Sequence, residues 1–248
     1  MTFDDVIKQV GAFGPYQRRL ILLGLFPYLI FAFQFMIPIF ILSEHKHRCK
    51  DKQTAYPEDN IWVSNASLTS CQTHHFDNVT NTTYDVQCKS WSYDTSEQTS
   101  SPISDFDLVC DNAVAKSHVT MAFSFGMLVG ALLSGIFGDS FGRKPVVCIT
   151  LTFLCFSIGC AWAPSAYVLA ILRFLTGVGC NLGPLKLIVM EMVGPTWRYF
   201  VVSVHEITFT IGEMILCCLA YFVRDWRTLQ LTGSVPSVFG LLYVLHIS

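Results

Sequence analysis

Charge is what this chain has least of. Of its 248 residues only 14% are Asp, Glu, Lys or Arg, whereas 52% are hydrophobic. A soluble domain carries about 25% charged residues. The formal net charge of −2 offers no basic excess, which argues against a nucleic-acid partner. A phosphate-cradling loop, a nucleophile elbow and a metalloprotease pattern are also missing. No acid–base constellation accompanies the intramembrane carboxylates, so neither an enzyme nor a cofactor is expected. A cleaved signal peptide fits poorly as well: the apolar run 20–42 is too long, and no small-residue cleavage site follows it.

Apolar runs are abundant instead. Six stretches, 20–42, 119–137, 146–162, 168–190, 200–223 and 229–247, are long and apolar enough to be read as spans. An α-helix needs about 20 such residues to cross a hydrocarbon core. Each must be helical, because a backbone in lipid has to satisfy its hydrogen bonds internally. Pro27 and Pro38 in the first span predict kinks.

Basic residues near short connectors orient the spans. Arg18 and Arg19 precede the first, Arg143 and Lys144 follow the second, and Arg198 follows the fourth. These alternate sides place residues 1–19 in the cytoplasm. Arg224 and Arg227 argue the other way, with Asp225 between them, and are outvoted.

The long segment 43–118 is then extracellular. It carries three acceptor tripeptides for N-glycosylation, at Asn65, Asn78 and Asn81. It also holds Cys49, Cys71, Cys88 and Cys110, an even number in an oxidising compartment, which predicts two disulfides in one of three connectivities. The remaining cysteines lie in or beside spans and read as small apolar residues. His45, His47, His74 and His75 near Cys49 suggest a metal site only superficially. Disulfide use of Cys49 removes the thiolate, and no second ligand pair has finger-like spacing. No metal is expected.

Between the second and third spans stands Gly135-Ile136-Phe137-Gly138-Asp139-Ser140-Phe141-Gly142-Arg143-Lys144. It resembles the loop motif G-x-x-x-D-R-x-G-R-K of the major facilitator superfamily, with Ser140 in place of the first Arg. Gly135 is expected to let helices approach closely and Gly142 to permit a tight turn. Asp139 and Arg143 can form a charge pair that breaks and remakes during gating, beside Lys144. Phe3–Ile7, Val10–Arg18, His47-Arg48-Cys49, Phe106–Cys110, Arg173–Gly177, Glu191–Pro195 with Arg198, and Ala220–Arg227 narrow the resemblance to the transporters of organic cations, organic anions and carnitine.

That resemblance implies an all-α membrane protein: the N-terminal six-helix half of a major facilitator fold, with a long extracellular loop between helices 1 and 2. Residues 1–19 form a cytoplasmic N-terminus, 20–42 helix 1, 43–118 the loop and 119–248 helices 2–6. A family member has twelve spans, so the chain reads as a truncated half whose C-terminal six-helix partner is missing. Substrates bind near the midplane between repeats. The family's substrate-lining positions match Phe35, Thr120, Lys186, Glu206, Phe209 and Thr210 here. Arg173 is expected to pack in the bundle, and Glu191 with Arg198 to form a structural or gating pair.

Intramembrane charges are costly and default to function. Ser203, Glu206, Thr210 and Glu213 fall at i, i+3, i+7 and i+10, one face of the fifth helix. Lys186 and Glu206 lie about equally far from the turn near Thr196, which predicts a charge pair; the alternative is a Lys186 that snorkels to the inner face. Aromatic walls suit organic cations.

The expected function is alternating-access transport of small organic ions at the plasma membrane. Cations or carnitine-like zwitterions are favoured, since Glu206 and Glu213 outnumber Lys186 on the inferred wall. An organic anion transporter, or a non-transporting half acting as a membrane interaction protein, is the alternative.

Overall fold

The computed structural model describes residues 14–43, 46–49, 71–77, 82–88, 90–96, 98–181 and 183–247. Helix α1, Pro15–Ile41, starts with Pro15 at its first position, where the missing N–H is one the helix would leave unpaired anyway. It continues through Pro27 and Pro38. After the loop, in which α2 is Pro102–Asp105, comes α3, Ala113–Phe141. It stops at Gly142, whose φ of +87° suits a residue without Cβ. The tight turn expected there is present.

The third apolar run folds in pieces: α4, Arg143–Leu154, then α5, Phe156–Gly159, and a 3-10 turn over Cys160–Trp162. The fourth is broken as well, which corrects the continuous helix expected over 168–190. Helix α6, Ala166–Gly179, is capped by Ser165, and α7 covers Gly183–Glu191. Gly179, Gly183 and Pro184 explain the break: glycine weakens a helix interior, and proline disfavours a helical residue before it. Helix α8, Arg198–Phe222, and helix α9, Trp226–Ile247, complete the bundle.

Among the described residues, four stretches are long and apolar enough to cross a membrane: Gln17–Ile41, Cys110–Phe141, Pro145–Trp162 and Pro195–Phe222. Ala166–Gly179 is a shorter apolar helix.

Between apolar helices in lipid, close packing replaces the hydrophobic effect as the associating force, and small residues permit it. The α3–α6 contact shows this directly. A Cβ on Gly126 would run into the carbonyl oxygen of Phe174, and one on Gly177 into that of Phe123. Gly135, expected to serve this purpose, does not. A Cβ there meets nothing within 4 Å, because Gly135 is on an exposed face of α3, whereas Gly126 and Gly130 face α6. At one end of the bundle Phe33, Ile37 and Ile41 of α1 pack with Leu169, Leu216, Trp226 and Leu229.

The loop contains two antiparallel strand pairs that the sequence reading did not foresee. Strand β1, His47–Cys49, pairs with β4, Trp91–Tyr93, and β2, Gln72–Asp77, with β3, Thr82–Gln87. Disulfides join Cys49 to Cys88 and Cys71 to Cys110, with Cα separations of 5.8 and 5.7 Å. That decides among the three connectivities. Asn65, Asn78 and Asn81 lie outside the described residues.

Ser96 and residues 98–105 strap the loop onto the bundle. Gln98 donates to the carbonyl of Phe40 at 2.9 Å, and Arg224 to that of Ser96 at 3.3 Å. Asp105 accepts from the Trp226 indole at 3.0 Å and from Arg227 at 3.4 Å. Asp225 accepts from the Ser100 hydroxyl and caps α9 through the Thr228 amide at 2.9 Å. Burial acts to raise the Asp225 carboxyl, but the hydroxyls of Ser100 and Thr228 and nearby amides hold it below the usual carboxylate range.

Candidate functional site: a charged aromatic cleft

Four helices and one helix break surround a cavity of about 320 Å³. Tyr28 and Phe31 come from α1, three residues apart and therefore on one face. Helix α3 contributes Met127 and Ala131, one turn apart; the α6–α7 break contributes Cys180 and Asn181; α7 contributes Lys186, and α8 Glu206 and Phe209. The break is held in place by Asn181, whose amide donates to the Gly130 carbonyl at 3.0 Å and to the Ser134 hydroxyl.

Lys186 and Glu206 meet on this wall, Nζ to Oε1 at 2.7 Å. Their side chains are 28% and 59% exposed, so both charges are presented to the cleft rather than sealed beneath it. The pair leaves the wall formally neutral while offering a cation and an anion to a ligand. Beside it lies an aromatic cluster: Phe209 is 5.3 Å from Phe31 and 6.0 Å from Phe35, and Phe35 is 6.5 Å from Phe123. Ring faces at this spacing can hold the methyl groups of a quaternary ammonium or the ring of an aromatic ion.

The other expected site residues fall in varied places. Phe35 is partly exposed in the aromatic cluster but does not line the cavity. Thr210 turns its hydroxyl back to the Glu206 carbonyl at 3.1 Å. Thr120 is exposed on α3, with its hydroxyl on the Lys116 carbonyl at 3.4 Å; Met127 and Ala131, two to three turns further on, take the lining place expected for it. Asp139 is exposed near the end of α3, and the side chains of Arg143 and Lys144 lie outside the described residues. Glu191 ends α7 and Arg198 begins α8.

Tyr28, Phe31, Met127, Ala131, Cys180 and Asn181 escaped the sequence reading. A signal existed for two of them: Tyr28, Phe31 and Phe35 recur at i, i+3 and i+7 on α1. For Asn181 the clue was its place between Gly179 and Gly183-Pro184.

Arg173 is inside the bundle, fully buried. It donates to Gln230 at 2.7 Å and to the Gln34 carbonyl at 3.5 Å. Gln230 donates to the Ser157 carbonyl and the Ser234 hydroxyl, both at 2.9 Å. This ties α1, α5, α6 and α9 together through polar contacts in an otherwise apolar interior. In the loop, His47 lies within 4.8 Å of the sulfurs of Cys71 and Cys110, but the disulfide already engages both.

Comparison with known proteins places this geometry. The family model described as sugar (and other) transporter matches residues 60–247. The chain is 30% identical to the organic cation transporter protein of Drosophila melanogaster, over 98% of this chain and 47% of that protein. It is also 30% identical to organic anion transporter 3 of Oryctolagus cuniculus, over 98% of this chain and 46% of that one. The partially occluded inward-open xylose transporter XylE from E. coli superposes with a TM-score of 0.60 at 14% identity, covering 95% of this chain and 49% of XylE. That likeness shows a shared fold. The chain spans about half the length of the curated relatives it matches. It belongs to the sugar (and other) transporter family, and the relatives it resembles include organic cation and organic anion transporters.

Proposed function

We propose that this chain supplies one wall of the substrate path in an alternating-access carrier of small organic ions. Quaternary cations and zwitterions of the carnitine kind are the favoured cargo. The observation that carries the reading is the Lys186–Glu206 pair, 2.7 Å apart and exposed to a cleft walled by Tyr28, Phe31 and Phe209. A zwitterion can engage both charges at once while its methyl groups meet the rings. Thr210, Glu213 and Phe35 extend the polar and aromatic surface along the same helices. A second six-helix half would close the cleft from the other side, since substrate sites in such carriers lie between the repeats.

In this reading the six apolar runs of the sequence are six spans. Residues 1–19 are cytoplasmic, the loop 43–118 is extracellular and glycosylated, and the protein resides in the plasma membrane. The strapped segment 98–105 and both disulfides support an outer position for the loop, because disulfides persist in oxidising compartments. Asp139, Arg143 and Lys144 with Gly142, together with Glu191 and Arg198, gate the inner face.

An organic anion as cargo is the second reading, favoured by Lys186 and by the anion transporters among the relatives. Competition on the chain reconstituted in lipid decides between the readings. Carnitine, phenyltrimethylammonium and benzenesulfonate should compete for one site, with Glu206→Gln weakening the cation most and Lys186→Met the sulfonate most. Binding of none of them would defeat the carrier reading.

A further inference from the structure

Helix α8 carries a second carboxylate on the face that holds Glu206. Glu213 lies well inside α8 and within the apolar stretch Pro195–Phe222, where an ionised group is costly unless something faces it. It stands at i+7 from Glu206, about 20° short of two full turns and about 10 Å further along the axis. Both carboxylates therefore project to nearly the same side. Their circumstances differ. Glu206 has Lys186 at 2.7 Å, whereas no side chain among the described residues forms an ion pair with Glu213.

The neighbouring Gly212 fixes where α8 touches α1. A Cβ there would stand 2.8 Å from the Ala32 methyl and 3.3 Å from the Leu29 carbonyl oxygen. Tyr28 meets His205 and Ala32 meets Gly212, so the two helices advance in the same direction. Phe35, three residues beyond Ala32, and Glu213, next after Gly212, then differ in depth by about 3 Å. The Phe35 ring is 39% exposed, and its centroid is 6.0 Å from that of Phe209. Phe209 precedes Glu213 by one helical turn, at the i, i+4 spacing that makes side chains neighbours. Two rings thus stand beside a half-buried carboxylate.

We propose that Glu213, with Phe35 and Phe209, is a second binding station for organic ammonium groups, separate from the Lys186–Glu206 pair. The faces of the rings are negative and attract a cation, and the carboxylate supplies its counter-charge. A cation that approaches Glu206 has to compete with Lys186 and brings no new charge balance to that wall. Glu213 has no such competitor among the described residues, and it repels an anion that Lys186 would attract. The station therefore selects cations over anions, which the neutral pair alone does not. The proposal rests on the carrier reading above, since a station needs a path that a ligand can enter.

The test titrates the full chain in lipid nanodiscs with phenyltrimethylammonium and with benzenesulfonate. Glu213→Gln should weaken the cation several-fold without weakening the sulfonate, and Glu213→Asp should recover part of the cation affinity. Phe35→Leu, which keeps the charge, should also weaken the cation and spare the sulfonate. Bis(trimethylammonium)alkanes of graded length supply a second readout. Their affinity should peak where the two heads are about 10 Å apart, and the peak should vanish in Glu213→Gln. An affinity that rises smoothly with chain length overturns the proposal, as does equal weakening of both probes by Glu213→Gln. If the Glu213→Gln chain fails to fold, unchanged cation affinity in Phe35→Leu overturns it instead. A cation that responds to Glu206→Gln but not to Glu213→Gln would remove the station and leave the carrier reading standing. A wild-type chain that binds neither probe would remove both.

Discussion

Arg173 and Gln230 meet at 2.7 Å in the fully buried interior, the guanidinium donating to the amide oxygen. No carboxylate reaches Arg173 among the described residues, so neutral acceptors carry the burden that an ion pair would usually take. Hydrogen bonds to a charged group are worth about 1.5–3 kcal/mol each. Gln230→Leu should therefore lower stability in detergent by about 2–3 kcal/mol, read from the thermal or denaturant midpoint. Arg173→Met added to it should recover part of that loss, because the unsatisfied charge goes with it. Two independent, additive losses would show that the residues do not act as a unit.

The Lys186–Glu206 pair makes a different prediction. A pair this exposed adds about 1 kcal/mol or less to stability, so its removal should hardly move the unfolding midpoint. Lys186→Ala and Glu206→Ala should each alter ligand affinity, and the double variant should be no worse than the more damaging single one. Coupling is the signature of contact; strictly additive effects would leave Lys186 as an independent inner-face cation.

Packing of α3 on α6 can be tested with glycines. Gly126→Leu forces a side chain against the Phe174 carbonyl, and overpacking of this kind costs about 1–3 kcal/mol or more. Loss of folded protein in size-exclusion chromatography is the expected result. Gly135→Leu, where a Cβ meets open space, should leave the elution profile unchanged.

Asp225 links the loop strap to acid stability. Its carboxyl is held below the usual range in the folded protein. The stability it contributes is therefore present above the unfolded value, about 3.9, and is lost as pH falls through the lower folded value. Asp225→Asn should lower the thermal midpoint at neutral pH and flatten its acid dependence. An unchanged acid limb would mean that the Ser100 and Thr228 contacts do not govern it.

Reading the sequence located some things well, for a local reason. Whether a run can lie in lipid depends on its own length and apolarity, so the helical stretches were visible. Gly142 was also legible, since a turn between two helices with basic residues after it restricts the choice of residue. Lys186 and Glu206 could be related because a short connector fixes the relative depth of the helices it joins. Gly135 misled because a glycine's sequence position does not say which side of the helix meets a neighbour.

Sequence alone determined that apolar helices would form, where the charged segments interrupt them, and that the loop cysteines are even in number. Tertiary structure decided the rest: that Cys49 joins Cys88, that Gly126 rather than Gly135 faces a helix, that Cys180 and Asn181 interrupt a helix, and that Tyr28, Phe31 and Asn181 share a wall with the ion pair. The division has a physical cause. Helix formation in lipid is settled by each segment's own backbone hydrogen bonds and apolarity, whereas disulfide pairing, close approach and cavity lining depend on which faces of distant segments come together.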